Sequence, residues 1–363
     1  MEIMGNADML RTARQLRGFQ QGEAATLLGI SQATLSRVEN QLAVFSSDIL
    51  ERAAAVYHLP ASFFTQTDPI FGAPISVHPM MWRKKTSVSG REMDQLVAEL
   101  NLRLIHLRRL FQAVEIEVTD ELPSLSVDEF NGDIERIAGL VRAQWQMPVG
   151  PVRNLTRIME SAGVIVVHSA LSGSTVDGVT FRAPGLPPLI VLNVAQPADR
   201  MRFTLAHELG HLVMHRSQPT QNMEDEANEF ASLFLMPTRD IQPYFSRRID
   251  LRLLAELKPV WQVSMSSLLM RARALKLLAY NQERYLWQQF SMAKIRLREP
   301  PELDFPPEKE TVLPELIDAH VRQLGYSISD LASLLHVQPP ELASLYGLSI
   351  IQEAKTPHLR IVK

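Results

Sequence analysis

The chain has no cysteine in its 363 residues. Disulfides and thiolate metal sites are therefore excluded, and any metal has to be held by histidine and carboxylates. No run of about 18 apolar residues occurs, so no segment is expected to span a membrane. The opening Met1-Glu-Ile-Met-Gly-Asn-Ala-Asp lacks the basic stretch and apolar core of a signal peptide, and a cytoplasmic location is expected. An excess of one charge sign is also missing. With 37 basic and 40 acidic residues the net charge is −3, which gives no global reason to expect nucleic-acid binding. A DNA site would have to be local. Internal repeats and low-complexity stretches are absent as well. What remains is an ordinary globular composition, 46% hydrophobic and 21% charged, in a chain too long for one average core.

Histidine is scarce too, at 10 residues, yet three of these lie between 207 and 215. His207-Glu208-Leu-Gly-His211 is an H-E-x-x-H pattern. Four residues is about one helical turn, which brings His207 and His211 to one face with Cβ atoms roughly 6 Å apart. Two imidazoles so placed are able to grip one zinc ion, and Glu208 stands beside them to take a proton from water. The same spacing also occurs on plain amphipathic helices, so the context has to decide.

The N-terminal segment supplies a candidate for such a local site. Residues 7 to 59 read as four or five short helices. Leu10, Ala13, Leu16 and Arg17 share a helical face, and Gly18 ends the first helix. Residues 21 to 28 form a second helix stopped by Gly29, and Ser31 is a good N-cap for a third, Gln32 to Glu39, ending at Asn40. Helix, glycine turn and helix make a helix-turn-helix. The string GISQATLSRVEN resembles the turn and recognition helix of the Xre/Cro-type repressors. That resemblance implies that Gln32, Ala33, Thr34, Ser36 and Arg37 face the major groove of a double-stranded DNA operator. Gln and Arg there are suited to bidentate contacts with adenine and guanine, and Thr34 to a thymine methyl. Gln21, opening the second helix, would touch a phosphate. The charge is discordant, because residues 1 to 60 hold five arginines against six carboxylates. Arg83, Lys84, Lys85 and Arg91 downstream are positioned in sequence to compensate.

Farther on, Pro69, Gly72, Pro74 and Pro79 mark a linker. A long helix is expected over Arg91 to Val114, with Leu96, Leu100, Leu104, Leu107 and Leu110 as a core stripe. A second is expected over Val127 to Gln146 with Ser126 as its cap, and a third over Val152 to Ser161. Val164 to His168, Gly178 to Arg182 and Leu189 to Asn193 read as strands of a small antiparallel sheet, the last apolar enough to be an inner strand. The helix after the zinc motif has Ala227, Phe230, Ala231 and Phe234 on its buried stripe, with Glu224 on one edge and Glu226 on the other.

The strings RMRFTLAHELGHLVMH and EDEANEFASLFLMP together resemble the ImmA/IrrE family of metallopeptidases. The match extends to WRKKTSVSG and PLIVLN upstream and to WQVSMSSLLMRARAL downstream. The resemblance implies a gluzincin-like zinc site with His207 and His211 as ligands, Glu208 as general base and Glu224 as third ligand, with Glu226 as the alternative. Asn228 is the implied second-layer partner, while His215, one turn beyond His211, is left outside the site. The chemistry implied is peptide hydrolysis, in which zinc polarises the scissile carbonyl and Glu208 carries the proton to the leaving amine.

The fold class expected is α+β. An all-α helix-turn-helix domain (1–65) precedes a linker (66–90), a zincin-like domain (91–300) with its small antiparallel sheet, and a helical C-terminal tail (301–363). The function expected is a DNA-binding transcription regulator whose zinc-dependent peptidase domain cleaves a partner repressor, an antitoxin or itself on a signal, as in stress-response or toxin–antitoxin systems. The alternative is a non-proteolytic antitoxin or repressor that uses the peptidase fold to bind a toxin or ligand. A homodimer is expected, and retention of Glu208 and both histidines favours the enzyme.

Overall fold

The computed structural model describes residues 4–72, 89–171, 176–215 and 222–348. Arg83, Lys84 and Lys85, and the linker beyond residue 72, lie outside them.

Four short helices open the chain: α1 (Ala7–Leu16), α2 (Gln21–Leu28), α3 (Gln32–Glu39) and α4 (Ser47–Tyr57), followed by a 3₁₀ turn at Ala61–Thr65. The side chains of Asn6, Ser31 and Ser46 cap α1, α3 and α4 by accepting from backbone N–H groups. Such caps are worth about 1 kcal/mol each. Gly29 ends α2 at φ +65°, a left-handed backbone that turns the chain into α3. Leu10, Leu28, Leu35, Tyr57, Phe63 and Phe64 are buried in the core of this bundle. The buried Arg14 guanidinium donates to both oxygens of Glu39 at 2.6 and 3.0 Å and locks α1 to α3.

Next comes α5 (Gly90–Leu110), on which all five leucines of the expected stripe are buried. The helix expected from Val127 begins later. Residues 128–130 make a single 3₁₀ turn, Asn131 and Gly132 take φ of +52° and +78°, and α6 (Ile134–Gln144) starts behind an Asp133 cap. Two consecutive positive φ angles are incompatible with a continuing right-handed helix. After α7 (Leu155–Ser161) come β1 (Ile165–Ser169), β2 (Gly178–Phe181) and β3 (Leu189–Asn193).

The sheet is mixed, which corrects the antiparallel expectation. Its order is β1-β3-β2, with β1 parallel to β3 and β2 antiparallel to it. Every residue of β3 is buried, so this strand takes the centre. β1 is thereby left on the far edge, running in the same direction as β3.

The motif helix α8 (Ala198–Met214) and α9 (Met223–Leu235) follow. Beyond them lie α10 (Thr238–Ile241), α11 (Leu251–Trp261), α12 (Met265–Ala274) and α13 (Tyr280–Met292). Their core includes Leu205, Leu209, Phe230, Phe234, Leu254, Trp261, Leu268 and Phe290. Lys258 on α11 is fully buried and donates to Asp199 at 2.5 Å and Glu299 at 2.7 Å. Glu299 also accepts from the backbone N–H groups of Met265 and Ser266 at the start of α12. Burial opposes the ammonium, but hydrogen bonds and charge from Asp199 and Glu299 hold its pKa above the ordinary lysine value.

The chain closes with α14 (Val312–Asp318), a π-helical turn at Ala319–Gln323, α15 (Ile328–Leu334) and α16 (Pro339–Tyr346). Two compact units result. One comprises Met1–Ile70, Asn101–Val114 and Pro314–Lys363, and the other Phe71–Leu100 and Glu115–Leu313. The segment read from sequence as a tail is thus divided, with residues from Pro314 onward grouped with the helix-turn-helix. Within that unit Arg17 pairs with both oxygens of Glu341 at 2.8 and 3.0 Å. Arg109 donates to Gln66 at 2.9 Å, Asp68 at 2.8 Å and the Leu334 carbonyl at 3.0 Å. Among the described residues no helix is long and apolar enough to cross a membrane.

Candidate metal centre and nucleic-acid interface

Met201, Leu205, Leu209 and Leu212 recur at helical spacing and bury one face of α8. The same period carries His207 and His211 to its neighbouring face. Ala227, Phe230, Ala231 and Phe234 form the buried stripe of α9, as their spacing predicts. The two helices meet at Gly210. A β-carbon there would lie 3.2 Å from Phe230 Cδ1 and 3.3 Å from Ala227 Cα. Glycine inside the motif is what lets α9 come this close.

Close approach brings Glu224 to the histidines. His207 Nε2 and His211 Nε2 are 3.0 Å apart. The Glu224 carboxylate lies 3.2 Å from His211 Nε2 and 3.7 Å from His207 Nε2. One ligand atom from each residue falls within 4.8 Å of the others. His211 is buried and Glu224 is partly open to solvent. Glu208, buried beside His207, completes the motif on the same helix. His207 Nδ1 is 3.1 Å from Asn228 Oδ1. With Nδ1–H donating a hydrogen bond to the amide oxygen, the Nε2 lone pair is the one directed into the cluster. Two imidazole nitrogens and one carboxylate are a donor set suited to a divalent metal with a position left open.

Glu226, the alternative ligand, is engaged elsewhere. Its Oε2 lies 2.9 Å from His215 Nε2, and His215 Nδ1 is 2.9 Å from His211 Nδ1. Burial, reinforced by the adjacent His211, pushes the His215 imidazole below its ordinary pKa, with Glu226 opposing. Sequence reasoning noticed His215 but missed this role. The available signal was a histidine at each of i, i+4 and i+8, followed by two glutamates two residues apart.

On the helix-turn-helix, Leu35 and Val38 point inward while Gln32, Ala33, Thr34 and Arg37 are exposed and Ser36 is half-buried. Four of the five expected readers are thus exposed on α3. Gln21 is half-buried, and its amide donates to Glu39 at 2.9 Å. The shortage of positive charge becomes sharper in three dimensions. Arg11 donates to Glu39 O and Asn40, Arg14 to Glu39, Arg17 to Glu341 and Arg52 to Asp48. Arg37 is exposed on α3.

Family comparison matches two regions of the chain. Residues 10–64 match the helix-turn-helix family, and residues 159–273 match a peptidase family described as the IrrE N-terminal-like domain. The second span contains the sheet, α8 and α9. No match was found among curated proteins. The chain therefore joins a helix-turn-helix DNA-binding domain to a peptidase-family domain, the make-up of a regulator with a peptidase-like module.

Proposed function

We propose that the protein is a DNA-binding transcription regulator whose second unit is a zinc-dependent peptidase acting on a partner repressor, an antitoxin or the chain itself. The observation that carries this reading is the convergence of His207, His211 and Glu224 with Glu208 beside them. A bound zinc would supply the Lewis acidity that polarises a peptide carbonyl and makes water more acidic. His207, His211 and Glu224 are the residues that would hold it. Glu208 accepts the water proton and returns it to the departing amine, so that one C–N bond breaks and the water atoms are divided between the two products. Asn228 keeps His207 in the tautomer that ligates. The exposed face of α3 reads the operator in the major groove.

Glu208→Gln separates hydrolysis from binding. The amide keeps the shape of the side chain but cannot take up the proton. Zinc content and DNA affinity are expected to match the wild type, while cleavage of the target falls at least 10²–10⁴-fold, the range on the order of that for loss of a general base. Unchanged relief of repression in cells carrying Glu208→Gln would eliminate hydrolysis as the mechanism.

A further inference from the structure

We propose that Glu226 and His215 form a hydrogen-bonded relay behind His211 that fixes which nitrogen of that ring faces the metal, making both of them positioning residues of the site. The inference rests on the metal-site reading above.

The chain of contacts is continuous. Glu226 Oε2 meets His215 Nε2 at 2.9 Å, His215 Nδ1 meets His211 Nδ1 at 2.9 Å, and His211 Nε2 lies in the ligand cluster. Each proton position follows from the one before it. An ionised carboxylate only accepts, so His215 Nε2 carries a hydrogen. A neutral His215 then has its lone pair on Nδ1 and accepts from His211, whose Nδ1 therefore carries the hydrogen. His211 Nε2 is left with the lone pair that a metal requires. The opposite assignment, with His215 donating through Nδ1, would put a proton on His211 Nε2 and block it as a ligand.

The site thus has two orienting partners of different kinds, Asn228 for His207 and the two-residue relay for His211. A helix-capping role does not account for the His215 side chain. The cap contact at the end of α8 is made by its backbone N–H to the His211 carbonyl, while both ring nitrogens bond to side chains. A hydrogen bond linked to a carboxylate also makes the ligating ring more basic and strengthens its hold on a metal.

The test uses the full-length protein loaded with zinc and titrated with a competing chelator, alongside thermal melts of the metal-free form. Glu226→Leu and His215→Phe are expected to weaken zinc retention by about 10–100-fold, the usual cost of losing such an outer partner. Glu226→Gln keeps an accepting oxygen without the charge, so its loss should be smaller, roughly several-fold, and it secures the comparison if the other variants fold poorly. Zinc affinity within about twofold of wild type in Glu226→Gln and in either disruptive variant, with only the metal-free melting temperature lowered, would overturn the relay and leave a packing role. A folded wild-type protein that retains no zinc would instead refute the metal-site reading, and the relay with it.

Discussion

Arg37 is where charge and exposure disagree most usefully. Four neighbouring arginines of the helix-turn-helix are engaged in contacts within their own unit, whereas Arg37 is exposed on α3 beside Thr34. On the proposed reading this arginine contacts guanine. Arg37→Ala is expected to weaken specific operator binding by about 1–3 kcal/mol and to relax the preference at one base pair. Binding measured across single-base operator variants checks this, and a uniform loss across them would assign Arg37 to a phosphate. At this scale the sequence was highly legible wherever a residue acts through its immediate neighbours. Gly29, Ser31 and the H-E-x-x-H pair are local signals. The Glu224-or-Glu226 choice was not legible, because one helical turn places both at the edges of the same stripe. Only the packing of α9 against α8 brings Glu224 to the histidines and Glu226 to His215.

Elements were read best where their faces are one-sided. The α9 stripe occurs as its spacing predicts, since burial fixes which face turns inward, and the continuous apolar run of β3 is buried on both faces. The sheet direction was not legible, because β1 pairs with β3 and not with its sequence neighbour β2, and no local pattern encodes that choice of partner. The start of α6 was missed for a local reason, the positive φ angles at Asn131 and Gly132. The α8–α9 contact yields a prediction in which two effects have opposite sign. Gly210→Ala favours the helix by about 1 kcal/mol on intrinsic propensity. It also forces a β-carbon to 3.3 Å from Ala227 Cα, where a backbone cannot swing aside. We expect the displacement of α9 to prevail at the site. Zinc affinity should fall while the helical circular dichroism signal is unchanged or slightly greater. Retention of full affinity would mean that α9 tolerates the shift without moving Glu224.

At the scale of the molecule, contacts distant in sequence hold each unit together. Lys258 joins Asp199 to Glu299, three positions spread over about a hundred residues of chain. Removing the ammonium leaves two carboxylates buried without it, so Lys258→Met is expected to destabilise the second unit by about 3–5 kcal/mol. The pH dependence has a definite sign. A lysine pKa raised by folding adds stability that is complete below the unfolded value of about 10.4 and is lost as pH rises through the folded value. Thermal melts of wild type should therefore decline in strongly alkaline buffer, and Lys258→Met should lack that component.

The pairing of Arg17 with Glu341 links residues 324 positions apart, which gives the first unit a history as well as a shape. Its N-terminal helices leave the ribosome before the second unit is made, and the C-terminal helices grouped with them follow that unit. At a synthesis rate of about 5–20 residues per second, Arg17 exists for roughly 15–60 s before its partner has been polymerised. During that interval α1 to α4 have their own contacts and those of residues 101–114 available, and the second unit is translated entirely within it. Each new chain thus passes through a stage in which α1 to α4 have been made and the partner of Arg17 has not.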